Sequence, residues 1–368
     1  MKMADGSSNS DSLKLEVRNL RKTFGEFVAL EGASVEVRAG EFLTLLGPSG
    51  SGKTTLLLAI AGLNEPDSGE IRIHGDLATY LPPYQRDIGM VFQNYALFPH
   101  MTIAENIGFP LRMRRWSASK IDEAVSRILE VVQLPGTENR YPRQLSGGQQ
   151  QRIALARALV YEPSIVLMDE PLGALDKKLR EQLQYEIKRL HERLGLAMLY
   201  VTHDQEEALV MSDRICLMRQ GRIEQIGTPE ELYFRPKTRF AADFLGESNL
   251  LQGEVTGRGE GDCAVVLADG STVRGPTTTE LSVGDKAVVM IRPEAIRINA
   301  AEPGANSVTA TFIEAVMTGG TTKCFFEGHQ GQQLKAQILT GQPRDGLAPN
   351  KEAVLSWEPE SCVVLAHD

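Results

Sequence analysis

The stretch "FLTLLGPSGSGKTTLLLAIAGL", residues 42 to 63, constrains the fold more than any other part of this chain. An apolar run too short for a helix ends in a glycine-rich loop, and the loop opens directly into a helical run that closes near Gly62. That context gives meaning to the spacing G-x-x-x-x-G-K-[ST] at 47 to 54. Small residues let the backbone curl so that successive N–H groups face inward at phosphate oxygens, reinforced by the positive end of the helix. The candidate phosphate-binding residues are Gly47, Pro48, Ser49, Gly50, Ser51, Gly52, Lys53, Thr54 and Thr55. Lys53 is placed to reach the β and γ phosphates, and the Thr54 hydroxyl to ligate Mg²⁺.

The same alternation of short apolar run and helix recurs downstream. "SIVLMDE", "AMLYVTHD" and "RICLMRQG" read as strands, and "DKKLREQLQYEIKRLHERLG" as a helix. In that helix Leu179, Leu183, Ile187, Leu190 and Leu194 share one face, with Gly195 as C-cap. This order predicts a parallel, doubly covered α/β sheet. Before it, from Leu13 to about Phe42, short β-like runs are separated by Gly25, Gly32 and Gly40. Residues 94 to 160 interrupt the alternation with helical stretches and read as a helical subdomain. After Gly246 the texture turns to glycine-rich turns and β-branched runs, with a hairpin signal at Asp269-Gly270. The expected organisation is a polar, disordered tail over 1–12, an α/β domain over 13–246 and an all-β, small-barrel domain over 247–368.

Two carboxylates end the run "IVLMDE". In extended chain neighbours point to opposite sides, so Asp169 and Glu170 divide two tasks. Asp169 is assigned to the Mg²⁺ site and Glu170 to the attacking water as general base. His203, at the end of the next strand and just before a helix capped by Asp204, is placed for a polar contact to the γ-phosphate and that water. Gln93 lies where the sheet core connects to the helical insert, positioned to complete the metal shell or orient water.

A net charge of −9 argues against nucleic acid as a partner, because neutralising phosphates needs a basic face. Four cysteines, Cys216, Cys263, Cys324 and Cys362, lack metal-ligand spacing and read as reduced thiols of a cytoplasmic protein. No apolar run approaches the roughly 20 residues of a membrane span, so a membrane role needs a partner.

Residues 13 to about 245 resemble the nucleotide-binding subunits of ATP-binding-cassette (ABC) transporters. The matching segments are "GPSGSGKTT", Gln93, "LSGGQQQR" beginning at Leu145, "LMDE", "ALD" at 174 to 176, and His203. The resemblance implies ATP hydrolysis with Mg²⁺ held by Thr54, Gln93 and Asp169, and catalysis by Glu170, His203, Lys53 and Gln93. It implies adenine stacking on Phe24 and dimer communication through Asp176. It also implies that Ser146, Gly147, Gly148 and Gln149 serve the γ-phosphate of a second chain. Physically the segment suits that role, since Ser146 can cap a helix and aim its positive end outward. One copy of each motif then makes a homodimer the simplest expectation.

"VMIRPEAIRI" and "SWEPESCVVL" resemble the transport-associated, oligonucleotide/oligosaccharide-binding-like domain of bacterial importers. "NYALFPHMTIAENI" resembles the importer segment that docks a membrane subunit, with Tyr95, Leu97 and Phe98 as docking residues or, in the alternative, core residues. The implied partners are two transmembrane permease subunits and, indirectly, a periplasmic solute-binding protein, with this chain peripheral on the cytoplasmic face of the inner membrane. "FLGESNLLQGEV", "TTKCFFEG" and "SWEPE" resemble the spermidine/putrescine branch; iron(III), sugar and sulfate importers are the alternatives within the group. A non-transport ABC ATPase or a regulatory module are the alternatives of another class.

Overall fold

The computed structural model describes residues 12–173, 175–259, 261–300, 302–343 and 346–367. All but one residue of the expected tail, and Ala174 of "ALD", lie outside the described residues. The chain divides into two compact units, Met1–Pro229 and Glu230–Asp368.

In the first unit, strands β1 (Leu13–Phe24) and β2 (Phe27–Arg38) form a long hairpin, followed by β3 (Phe42–Leu46) and α1 (Lys53–Ala61). Next come β4 (Ser68–Ile73), β5 (Asp76–Leu77) and β6 (Ile88–Val91). The helices α2 (Ile103–Met113), α3 (Ala118–Val131) and α4 (Gly147–Leu159) separate β6 from β7 (Ile165–Asp169). The remainder is α5 (Lys177–Leu194), β8 (Ala197–Thr202), α6 (Gln205–Met211), β9 (Arg214–Arg219) and β10 (Arg222–Gly227).

Two sheets result. One is antiparallel, in the order β2-β1-β4-β5; the other runs β10-β9-β3-β8-β7-β6, parallel throughout except for the antiparallel β10 at its edge. Both faces of the parallel sheet are buried, which is why its strands read as continuous apolar runs. Ile165 and Leu167 of β7 join Leu43, Leu45, Leu199 and Val201 in a core with α1 and the antiparallel sheet. Val166 and Met168 point the other way, into the core built by α2 to α5. One cover of the sheet is therefore itself largely a sheet, where the sequence pattern predicts helices.

Gly32 does not separate two strands as expected. It lies inside β2 with φ +71, where the β1–β2 register shifts and the ribbon bulges. The helix 177–194 forms as predicted: Leu183, Ile187 and Leu190 are buried, Asp176 caps the N-terminus, and Gly195 closes the C-terminus at φ +60.

The second unit begins at Glu230, ahead of the texture change at 246, because Arg292 ties the preceding helical segment to the β strands. Its guanidinium donates to the carbonyls of Tyr233, Ala242 and Glu247. Two antiparallel five-stranded sheets follow, both contributing to one core around Trp357, Phe312 and Phe326. Asp269-Gly270 makes the expected hairpin, with Gly270 at φ +84 and its N–H on the Leu267 carbonyl. All four cysteines are buried and unbridged.

Candidate functional site

The loop between β3 and α1 has little room for side chains. A methyl group at Gly47 would stand 2.2 Å from the Met218 carbonyl oxygen, and one at Gly52 would stand 2.5 Å from that of Ala29. Gly50 and Gly52 also have φ of +78 and +100, a region closed to most L-residues. Gly52 ends the loop as N-cap of α1, and no side chain caps the helix. The first N–H groups of α1 therefore lack a side-chain acceptor, the condition for holding an anion.

Lys53 is buried and folds back over this loop. Its Nζ donates to the carbonyls of Gly47 at 2.8 Å and Pro48 at 3.0 Å, and lies 3.4 Å from Ser51 Oγ. Burial holds its pKa below the ordinary lysine value, opposed by the charges of Glu170 and Asp169. Ser49 to Thr55, Glu170, Phe27 and Ala29 line a cavity over the loop.

Thr54 Oγ1 donates to Asp169 Oδ1 across 3.1 Å, joining the start of α1 to the end of β7. Burial raises the pKa of Asp169, with the Thr54 hydrogen bond working against it and the Glu170 charge adding to it. Adjacent hydroxyl and carboxylate oxygens suit a hard divalent cation that completes its shell with phosphate and water. Among the described residues no cluster of three or more His, Cys, Asp or Glu could hold a metal by itself.

Glu170 does not continue the strand. It adopts φ +43, so its separation from Asp169 comes from a turn in the left-handed region and not from strand alternation. A non-glycine residue there is strained, and such strain persists where surrounding contacts over-determine it. Here Glu170 N donates to Val201 O, and Glu170 Oε2 meets His203 Nδ1 at 3.1 Å. His203 is otherwise open, its side chain 56% exposed.

Behind His203 lies a network the sequence reading does not reach. Glu207 accepts from Tyr200 Oη at 2.8 Å and from Thr202 Oγ1 at 2.7 Å, and Thr202 Oγ1 accepts from Asp204 N at 3.0 Å. Arg180 of α5 donates to Asp204 at 3.1 Å. Burial raises the pKa of Glu207 and, well above its usual value, that of Tyr200. This network fixes the turn that carries His203.

Gln93 is exposed and follows the end of β6, whose Val91 pairs with Met168 of β7, so it leaves the sheet at the same edge as Asp169 and Glu170. Phe24 is not part of the cavity wall. Strand β2 borders the loop, and Phe24 sits one strand further out, paired with Phe27 and half-exposed, with Lys22 Nζ 5.4 Å from its ring centroid.

Ser146 caps α4 as expected. Its hydroxyl accepts from Gln149 N at 3.4 Å, while Gln149 Oε1 accepts from Ser146 N at 3.0 Å. Gly147 packs toward Leu175, just before α5, and Gly148 toward Leu179 in its first turn, where Asp176 Oδ1 accepts from Leu179 N. None of the residues Ser146 to Gln149 lines the cavity over the phosphate loop. Of the three docking candidates, Tyr95 and Leu97 pack against the helical core. Phe98 alone lines an outer groove, with Phe92, Phe109 and Tyr161.

A phosphate cradle at a strand–helix junction, with an acidic strand end beside it and a carboxylate–histidine pair at its rim, defines a P-loop nucleotide-hydrolysing protein. Known relatives narrow that class. Residues 30–173 match the family model described as ABC transporter, and residues 289–365 match the TOBE domain. A spermidine/putrescine import ATP-binding protein of a Nostoc species is 48% identical over 96% of this chain and 93% of its own length. The protein of that name in Rubrobacter xylanophilus is 43% identical over 95% of this chain and 93% of its own. Among solved structures, the dimeric ATP-binding cassette MJ0796, in a post-hydrolysis state with ADP and Pi, is 35% identical. It covers 58% of this chain and 98% of its own, with a TM-score of 0.52. The chain belongs to the family of ABC-transporter ATP-binding proteins, and it is an ATPase with a C-terminal TOBE domain.

Proposed function

We propose that this chain is the ATP-hydrolysing subunit of an importer for polyamines of the spermidine/putrescine type. The observation that carries the catalytic reading is the Glu170–His203 contact at the rim of the phosphate loop. In this reading the loop and the N-terminus of α1 hold the phosphates, and Lys53 turns from the carbonyls of Gly47 and Pro48 to the β and γ oxygens. Glu170 takes the proton of the attacking water, and His203, held by the Thr202–Asp204 turn, orients Glu170 and the γ-phosphate. Thr54, Asp169 and Gln93 would hold Mg²⁺, which would neutralise charge developing on the phosphates. Phe24 and its neighbour Phe27 offer aromatic faces to the base.

The residues Ser146 to Gln149 have no place in their own chain's cavity and supply the second wall of a site on another copy. A homodimer with two such sites follows, and Asp176, at the start of α5 beside Gly147 and Gly148, sits where the two would communicate. No helix among the described residues is long and apolar enough to cross a membrane. The importer reading therefore places this chain peripherally on the cytoplasmic face, docked on two permease subunits that receive solute from a periplasmic binding protein. Support for the solute is that relatives named for spermidine/putrescine import align over 95% and 96% of this chain, its β unit included.

Reconstitution with the permease and binding protein tests the reading. Putrescine or spermidine should stimulate ATP hydrolysis, while iron(III) and sugars should not. Stimulation by a sugar or iron alone would remove the polyamine assignment and leave the importer standing.

A further inference from the structure

Immediately after Gln93 the backbone makes an unusual bend: Tyr95 and Ala96 are consecutive non-glycine residues at φ +58 and +47. Two left-handed residues in a row persist only if other contacts hold them. The contacts come from α4, the helix that begins at Ser146. The two terminal nitrogens of Arg157 donate to the carbonyls of Tyr95 and Ala96, each at 2.7 Å. The Phe98 ring centroid lies 5.7 Å from the guanidinium carbon. Burial depresses the Arg157 pKa, with no carboxylate charge opposing it. This cation is thus spent on two backbone oxygens of one bend. Two residues later Asn106 of α2 fixes the same segment, accepting from Phe98 N at 2.8 Å and donating to Phe98 O at 3.1 Å.

We propose that Arg157 is a positioning residue that couples the two ends of the machine. It ties the bend after Gln93 to the helix whose N-terminus is Ser146 to Gln149, so that engagement of a nucleotide there and docking at the Phe92–Phe98 segment shift together. The helix α4 has 13 residues and acts as a rod about 20 Å long. A displacement at its N-terminus reaches Arg157 without being absorbed, and the bidentate grip passes it to the backbone bend. A planar fork can hold two successive carbonyls at once, whereas a lysine ammonium at that position would satisfy one. The docking half of this inference rests on the importer reading; the Arg157 grip on the bend does not.

The test uses Arg157→Lys and Arg157→Ala in the full chain, reconstituted with its permease subunits and solute-binding protein. The measured quantity is the ratio of solute-stimulated to unstimulated ATP turnover, beside a nucleotide titration of the isolated subunit. A coupling role predicts that this ratio falls by roughly tenfold while the nucleotide titration stays in place. An unchanged ratio, or a parallel fall of both rates, overturns the inference in favour of a purely structural arginine. A second readout guards against misfolding in the alanine variant. Asn94 is exposed and all native cysteines are buried, so an environment-sensitive fluorophore on Asn94→Cys reports the bend selectively. Its response to ATP should be present in the labelled parent and lost with Arg157→Lys. A parent label that ignores ATP, or a response that survives the lysine, refutes the coupling through Arg157. If solute fails to stimulate even the unsubstituted complex while the label still responds through Arg157, the importer reading falls and the grip stands.

Discussion

Nδ1 of His203 stands 3.1 Å from Oε2 of Glu170, joining the ends of the adjacent parallel strands β8 and β7 at the rim of the phosphate loop. The contact requires Glu170 to leave the strand at φ +43, and Glu170 N pays back part of that strain by bonding to Val201 of the same neighbouring strand. A carboxylate aimed by a histidine is a general base held in one orientation. Replacing it with an amide keeps the shape and removes the basicity.

Glu170→Gln should therefore lower ATP turnover by roughly 10² or more with nucleotide binding retained. His203→Ala should also slow hydrolysis, and the double variant should be little worse than Glu170→Gln alone, because the two act as a unit. Single-turnover assays on the four forms check this. Strictly additive losses would mean that the 3.1 Å contact has no part in catalysis.

Lys53 bonds to its own loop through the carbonyls of Gly47 and Pro48, so it shapes the cradle as well as supplying charge. Lys53→Ala should weaken nucleotide binding or abolish turnover. Normal titration together with normal hydrolysis would rule out the phosphate-loop assignment.

Asp169 carries a pKa raised by burial. A metal-ligating carboxylate must be deprotonated, so proton and Mg²⁺ compete for it. With the pKa raised, competition sets in at a higher pH than for an exposed aspartate near 3.9. The Mg²⁺ concentration giving half-maximal ATP turnover should accordingly climb as pH falls toward the carboxylate range, starting at a higher pH than an unshifted aspartate would allow. In Asp169→Asn the requirement should be higher throughout and flatter with pH. A wild-type requirement that is constant over that range would exclude Asp169 from the metal site.

The parts of the site that are legible in the sequence are those whose chemistry is written in consecutive residues. The loop 47–55, the Ser146 cap, the Asp176 cap and the Asp204 cap are each set by side chains within a few positions of the backbone they serve. What the sequence hides is tertiary. Arg180 meets Asp204 across 24 residues and Arg157 meets Ala96 across 61, and no local pattern announces either pair. The aromatic at the cavity wall is Phe27 and not Phe24 because the strand order sets β2 nearer the loop, a fact of pairing and not of spacing. Likewise, strand alternation does not reach Glu170, since the strand stops at Asp169 and the next residue turns away at φ +43.

The segment Ser146 to Gln149 offers the sharpest test of where a complete site lies. Its capping box closes the N-terminus of α4 outside the cavity over its own phosphate loop, and Gly148 has little space beside Leu179, whose Cδ1 would be 3.2 Å from an added methyl. Gly148→Asp would put a negative charge where an anion should bind. Ser146→Arg would remove a cap worth about 1 kcal/mol and add bulk at the same end. Each variant should still bind ATP as an isolated subunit, because the loop 47–55 is untouched. Each should fail to form the ATP-dependent dimer, measured by sedimentation in a Glu170→Gln background that slows hydrolysis, and should fail to hydrolyse ATP when Glu170 is intact. Loss of ATP binding by the isolated subunits would instead mean that the segment acts within its own chain, and the shared-site model would have to be abandoned.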